Sequence, residues 1–139
     1  MSYILDSFTF YMSLDRKQLG QWGEHIAEQY LIGKGYRITE RNYRKKWGEI
    51  DIIAEKKDVI IFVEVKTREY THGNDFLPEY NVNSIKRRKL RRLGEFYINE
   101  HKYRPDQHWQ IDVISIILDI SSKKAKIKHI ENAVWGEEY

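Results

Sequence analysis

Three ionisable residues interrupt two apolar stretches of the chain. Asp51 lies in an isoleucine-rich segment, and Glu64 and Lys66 lie in a β-branched and aromatic segment at residues 59–68. Two carboxylates held close together raise each other's pKa unless a cation neutralises them. Oxygen ligands, in a chain with no cysteine, suit Mg²⁺ or Mn²⁺. These residues therefore predict a metal-dependent phosphodiesterase site, in which Lys66 orients or helps to deprotonate the attacking water.

The two segments read as neighbouring antiparallel strands. Side chains alternate along a strand, so Glu64 and Lys66 share one face. An even-length turn, such as Lys57-Asp58 alone, places Asp51 opposite Glu64, whereas an odd-length turn places it opposite Val63. The site hypothesis thus predicts the even register. The structural alternative is a buried ion pair, which costs desolvation and usually adds little stability.

The chain resembles the PD-(D/E)-x-K nucleases of restriction-endonuclease-like fold, which include archaeal Holliday junction resolvases. It is more similar still to the small bacterial YraN family, also catalogued as UPF0102. The similarity covers about residues 18 to 118. Its motifs are Gly20-Gln21-Trp22-Gly23-Glu24, Gly35-Tyr36-Arg37-Ile38, Arg41-Asn42-Tyr43-Arg44, Gly48-Glu49-Ile50-Asp51, Phe62-Val63-Glu64-Val65-Lys66-Thr67-Arg68 and Ile111-Asp112-Val113.

What the resemblance implies is an α/β endonuclease domain with a mixed central sheet flanked by helices. Asp51 and Glu64 would bind Mg²⁺, and Lys66 would be catalytic. Glu24 matches a glutamate that reaches the metal site from the first helix in related resolvases, which makes it a fourth catalytic residue and a third metal ligand. The spacing of the residues alone favours a solvated helix position for Glu24. Related resolvases act as dimers, so a homodimer is one assembly that the resemblance allows.

The first helix is expected at residues 18–34. Leu19, Ile26, Tyr30 and Leu31 form an apolar stripe at near-helical spacing, Asp15 is a candidate N-cap, and Gly35 is expected to end the helix in a left-handed conformation.

A second helix is predicted around a run with six positive charges in seven residues, Lys86 to Arg92. Around it, Val82, Ile85, Leu90, Leu93, Phe96 and Tyr97 recur at helical spacing and predict a face that packs on the sheet. A basic helical run is often only a solvated face, but beside a metal site phosphate binding is the better explanation. The residues expected to bind nucleic acid are Arg68, Lys86, Arg87, Arg88, Lys89, Arg91 and Arg92.

Two more strands are expected, at residues 109–118 and 123–131. Asp112 interrupts the first of them much as Asp51 interrupts its strand. An aspartate near a strand start commonly binds backbone or arginine groups, so Asp112 is expected to have a structural or supporting role. The expected order is helix, three mainly antiparallel strands, basic helix, and one or two strands.

Composition is consistent with a compact nucleic-acid enzyme. The 139 residues carry a net charge of +3 and predict an N-terminal extension at 1–17 followed by one domain at 18–139. No apolar run approaches the roughly twenty residues of a membrane span, so no membrane partner is expected. The lack of cysteine suits a reducing, cytoplasmic compartment.

The function predicted is Mg²⁺-dependent hydrolysis of nucleic-acid phosphodiester bonds, with DNA as the expected partner and branched or junction DNA among its forms. Mn²⁺ would be an alternative ion. The competing hypotheses are a non-catalytic nucleic-acid-binding module and an interaction subunit of a repair or recombination complex. In these alternatives the acidic residues form inert ion pairs, and the basic residues form a binding surface.

Overall fold

A mixed six-stranded sheet flanked by two helices forms the structure, a computed structural model that describes residues 2–4, 15–70 and 84–133. This is the α/β, restriction-endonuclease-like architecture that the sequence predicted. The elements are β1 (Ser2–Ile4), α1 (Arg16–Gly33), β2 (Arg37–Lys45), β3 (Gly48–Lys56), β4 (Val59–Glu69), α2 (Ser84–Glu100), β5 (Trp109–Asp119) and β6 (Lys124–Ile130).

The strands lie side by side in the order β1-β6-β5-β4-β3-β2. Antiparallel pairing joins β2, β3 and β4, as expected, and also joins β5 to β6 and β6 to β1. Only the β4–β5 pair is parallel among these described strands, because the chain passes through α2 between them. Residues 1 and 5–14 of the predicted N-terminal extension lie outside the described part of the chain.

The β3–β4 hairpin has the even-length turn that the site hypothesis requires. Lys57 and Asp58 form the turn, and both have positive φ, at 50° and 64°. Positive φ at both central residues is typical of the two-residue turns that match the twist of the flanking strands. Ile52 therefore pairs with Val63, and continuation of this register sets Asp51 opposite Glu64. The predicted register is confirmed.

Helix α1 begins two residues earlier than expected, and its capping signals are confirmed. Asp15 accepts a hydrogen bond from the backbone N–H of Gln18 at 2.8 Å, and the Gln18 side chain accepts one from Asp15 at 3.0 Å. At the other end, Gly35 has φ 90° and donates to Ile32, while Tyr36 donates to Leu31. These bonds satisfy carbonyls that the helix leaves without internal partners.

Each face of the sheet is covered by one helix. The apolar stripe of α1 packs on one face, where Ile26 and Leu31 are buried. On the opposite face, Leu90, Leu93 and Tyr97 of α2 pack around Phe62. The expectation that Ile85 would join this stripe is wrong, because at 3.6 residues per turn it falls roughly 110° from the stripe's centre; Ile85 is 65% exposed.

Phe96 is likewise exposed rather than buried, and its ring meets Trp47 edge-on, while Val82 lies outside the described residues. None of the helices in the described ranges is long and apolar enough to span a bilayer.

Candidate metal and phosphate site

A cleft of about 740 Å³ opens between α1 and the ends of three strands. Its walls come from the first half of α1, the last part of β2, the start of β3 and the end of β4. Among the described residues, the ionisable side chains that line it are Arg16, Lys17, Glu24, Arg44, Glu49, Asp51, Glu64, Lys66, Arg68 and Glu69. The cleft therefore combines a group of carboxylates with cations from several elements.

Asp51 lies where the β3–β4 ladder ends. The last paired residues are Ile52 and Val63, and beyond them the Asp51 carboxylate accepts the backbone N–H of Val65 at 2.8 Å. The side chain thus takes the place of a strand carbonyl as hydrogen-bond acceptor. Burial, and then the charge of Glu64, raises the pKa of Asp51 to about 8.

Glu24 reaches Asp51 from α1, and ligand oxygens of the two carboxyl groups lie within 4.8 Å of each other. Burial raises the pKa of Glu24 as well. Its place depends on Gly23, since a Cβ at Gly23 would lie only 1.6 Å from the Oγ1 of Thr67. A side chain at residue 23 would hold α1 away from β4, so glycine permits the close approach that brings Glu24 into the cleft.

Glu49 is a site residue that the sequence analysis did not select. Ligand atoms of Glu24, Glu49 and Asp51 all lie within 4.8 Å of one another. A signal was present, because Glu49 and Asp51 are two residues apart on a strand and share a face. Arg44, its cross-strand partner, donates from Nε to Glu49 Oε2 at 2.9 Å.

Glu64, Lys66 and Lys86 form the opposite side of the site. The Glu64 residue is only 7% exposed, and Lys66 Nζ lies 3.9 Å from its Oε1. Lys86, from α2, forms an ion pair with the same oxygen. The hydrogen bond from Lys86, followed by burial, lowers the pKa of Lys66. Lys86 was expected to contact phosphate, and the structure instead places it against a carboxylate.

The structure brings some predicted residues together and leaves others apart. Glu24, Asp51, Glu64 and Lys66 meet, Arg68 lines the same cleft, and Lys86 contacts Glu64. The remaining predicted nucleic-acid-binding residues, Arg87, Arg88, Lys89, Arg91 and Arg92, follow along α2 and do not line the described cleft. Arg92 stacks over the ring of Trp47, at 4.8 Å from its centroid.

The carboxylates fit a hard divalent cation. All of the clustered donors are carboxylate oxygens, and burial, followed by neighbouring groups, raises the pKa of Asp51 and of Glu24. Oxygen-only sites of this kind bind Mg²⁺, Mn²⁺ or Ca²⁺ rather than softer metals. The acidic group could therefore hold a metal ion.

A second cluster contains Asp112, and its chemistry is different. Asp112 is fully buried and accepts hydrogen bonds from His129 Nε2 at 2.7 Å, Gln110 Nε2 at 2.8 Å and the backbone N–H of Asn132 at 2.9 Å. The other ring nitrogen of His129 lies 3.2 Å from the Tyr30 hydroxyl. These partners tie β5 to β6 and to α1, a supporting arrangement of the kind expected for Asp112.

Fold and cleft together define a small α/β domain with an acidic site at the end of a β-hairpin, of restriction-endonuclease-like class. The family profile that matches residues 23–116 is described as "Uncharacterised protein family UPF0102". The chain belongs to this family. It is 42% identical over 118 residues to a UPF0102 protein of Syntrophomonas wolfei, covering 84% of this chain and 97% of that one.

A UPF0102 protein of Alkaliphilus oremlandii is 43% identical over 117 residues, with the same two coverages. Among solved structures, Pyrococcus furiosus SfsA in complex with Ca²⁺ matches with a TM-score of 0.41 and 17% identity. That match covers 84% of this chain and 64% of the other.

Proposed function

We propose that this protein is a metal-dependent endonuclease that hydrolyses phosphodiester bonds of nucleic acid. The observation that carries the proposal is the meeting of Glu24, Asp51, Glu64 and Lys66 in one cleft, although α1, β3 and β4 supply them separately. A merely structural set of buried acids would be expected to find donors. Here several acids lie side by side in one cleft, and burial, followed by the charge of Glu64, raises the pKa of Asp51 to about 8.

In this proposal Asp51, Glu24 and Glu64 hold Mg²⁺, or Mn²⁺, and Glu49 adds a further oxygen. The bound ion would polarise the scissile phosphate and lower the pKa of a coordinated water. Asp51 is already oriented by the N–H of Val65, so its carboxylate has a fixed direction in the cleft. Glu64 is fixed in turn by its ion pair with Lys86.

In this proposal Lys66 assists deprotonation of the attacking water. The pKa of Lys66 is lowered, first by the hydrogen bond with Lys86 and then by burial, which makes its proton easier to exchange with a neighbouring water. Once protonated, the same side chain neutralises negative charge that develops on the phosphate. The substrate we propose is DNA, with branched or junction DNA among the forms to test. A homodimer stays a prediction, which sedimentation of the purified chain would examine.

The test is cleavage of labelled duplex, single-stranded, flap and four-way-junction DNA and of RNA, with Mg²⁺ or Mn²⁺. Wild type is compared with Asp51→Ala and Lys66→Ala, and with Asp106→Asn as control, because Asp106 is an exposed acid that pairs with Arg104. We expect metal-dependent cutting that falls by about a thousandfold in Asp51→Ala, the rate equivalent of several kcal/mol of lost metal assistance.

Mn²⁺ binding, followed by its paramagnetic resonance, gives a readout that does not depend on finding the substrate. Wild type and Asp106→Asn should bind the ion, and Asp51→Ala should not. Salt-sensitive binding of nucleic acid that is equal in all four proteins, with no cutting and no ion binding, would support the non-catalytic binding module instead.

A further inference from the structure

The cations that line the cleft come from elements that carry no obvious basic run. Arg16 and Lys17 are the first two residues of α1, Arg44 lies on β2, and Arg68 lies near the end of β4. Arg16, Lys17 and Arg44 project from the side of the cleft formed by α1 and β2, whereas the basic run of the sequence belongs to α2. Apart from Lys86, which contacts Glu64, the cations that line the cleft therefore lie outside the run that the charge pattern of the sequence emphasised.

Arg44 has a geometry suited to an anion. Its Nε donates to Glu49 at 2.9 Å, while the side chain remains 68% exposed. A guanidinium carries five N–H donors in a rigid fork, so a bond through Nε leaves the two terminal amino groups directed elsewhere. The carboxylate of Glu49 thus holds the arginine at the edge of the acidic cluster. The charge of Arg44 already reaches that cluster, since it acts to lower the pKa of Glu24.

Arg16 and Lys17 extend the positive surface along the same rim. Both are exposed residues of the first helical turn, and that turn contains no acidic residue. Their two positive charges stand at the helix end where the backbone dipole is also positive, and the Asp15 carboxylate that caps this end supplies a single negative charge. A phosphate chain passing over the cleft would add further negative charge at this position.

We propose that Arg16, Lys17, Arg44 and Arg68 form a phosphate track that holds the nucleic-acid backbone across the metal site, with Arg44 contacting a phosphate beside the scissile one. This rests on the proposed function and adds the path of the substrate. The phosphate track makes the main electrostatic contact with nucleic acid, and the basic face of α2 beyond Lys86 does not. The backbone therefore enters over the start of α1 and crosses the ends of β2, β3 and β4.

The chain contains a matched control for Arg44. Arg37 lies on the same strand and forms the same kind of cross-strand ion pair, with Glu55 of β3, and it is 74% exposed. It does not line the described cleft. Arg37→Gln and Arg44→Gln therefore remove the same charge and the same type of pair, and differ in position relative to the cleft.

The experiment measures anisotropy of a short labelled DNA duplex over a series of salt concentrations, in EDTA so that no cleavage occurs. Arg44→Gln should weaken binding by about tenfold and reduce the log–log salt slope by about 1, and Arg16→Gln/Lys17→Gln should reduce the slope by about 2. Arg37→Gln should match wild type. Arg44→Lys should recover the slope but not the full affinity, since lysine keeps the charge and loses the fork.

Equal affinity and slope for Arg44→Gln, Arg37→Gln and wild type would overturn the phosphate track while leaving the proposed nuclease intact. A wild-type protein that binds no nucleic acid, and no Mn²⁺, would overturn the proposed function itself. Thermal unfolding of each variant in the same buffer establishes that the proteins compared are folded.

Discussion

Asp51 and Asp112 are two aspartates that interrupt apolar strands of one sheet, and their surroundings are opposite. Asp112 accepts bonds from a histidine, an amide side chain and a backbone N–H, and is fully buried. Asp51 receives the N–H of Val65, and its nearest ionisable neighbours include other carboxylates, among them Glu24 and Glu49. One buried acid is satisfied by the protein, and the other is left in need of a cation.

The contrast shows which property separates a supporting acid from a candidate ligand. Burial alone does not identify the ligand, because Asp112 is fully buried whereas Asp51, the candidate ligand, is only partly buried. The type of neighbouring group does separate them, since hydrogen-bond donors stabilise a carboxylate and other carboxylates destabilise it. A close set of acids that accept few donors is therefore a better indication of a site than an acid within an apolar strand.

The largest expected effect separates the two aspartates by stability. Asp112→Ala should lower the free energy of unfolding by about 3 to 5 kcal/mol, because it leaves His129 and two further donors buried without an acceptor. Asp51→Ala should change it by less than about 1 kcal/mol, since the lost Val65 bond is offset by relief of repulsion. Urea denaturation in EDTA measures both. Equal destabilisation of the two variants would remove the distinction.

A second prediction concerns the glycine that lets α1 approach the site. Gly23→Ala should destabilise the protein by about 2 kcal/mol, because its Cβ would meet Thr67. It should also weaken Mn²⁺ binding, since Glu24 moves with the helix. Gly20→Ala is the control, as a Cβ there meets nothing within 4 Å. That change should leave ion binding unaltered and stabilise the helix slightly.

The third prediction is a pH dependence of stability that belongs to Asp51. The folded-state pKa of Asp51, about 8, exceeds its ordinary value of 3.8, so the folded state binds the proton more tightly than the unfolded state. Stability in EDTA should therefore be greatest below about pH 4 for this group and fall as pH rises through about 8.

Melting temperatures of wild type and Asp51→Asn across that interval test the dependence. The variant should lose most of the decline. Added Mg²⁺ should reverse the trend in wild type, because the ion binds the deprotonated carboxylates. A wild-type profile in EDTA that is identical to that of Asp51→Asn would show that Asp51 does not titrate in this range.

The smallest effect is expected on α2. Arg88→Gln/Lys89→Gln should change duplex affinity by less than about threefold at moderate salt, the level of a general surface charge. Anisotropy measured beside the Arg44→Gln series makes the comparison direct. A larger loss than that of Arg44→Gln would restore the basic helix as the main nucleic-acid surface.

Local rules predicted the parts of this fold that depend on neighbouring residues. The register of Asp51 and Glu64 follows from alternation and a two-residue turn, and the ends of α1 follow from Asp15 and Gly35. The position of Glu24 could not be predicted in this way, because it depends on how closely α1 packs against β4 at Gly23. The resemblance to a known family supplied that residue instead.

The residues that were missed depend on tertiary contacts. Glu49 becomes part of the acidic group only when α1 brings Glu24 over β3, and Arg44 matters because it is paired with Glu49. The basic run on α2 was conspicuous in sequence since its charges are consecutive. The cleft's own cations come from three distant places in the chain, at residues 16–17, 44 and 66–68, so no short sequence window contains them together.

The two-residue turn at Lys57-Asp58 also bears on the order in which the molecule forms. A hairpin with so short a loop closes within microseconds, whereas packing of α1 on β4 and parallel pairing of β4 with β5 must close much longer loops. Asp51 and Glu64 therefore face each other early, while Glu24 joins them only as the long-range contacts form. The mutual repulsion of the acids is thus greatest at the end of folding, when the rest of the core is already in place to resist it.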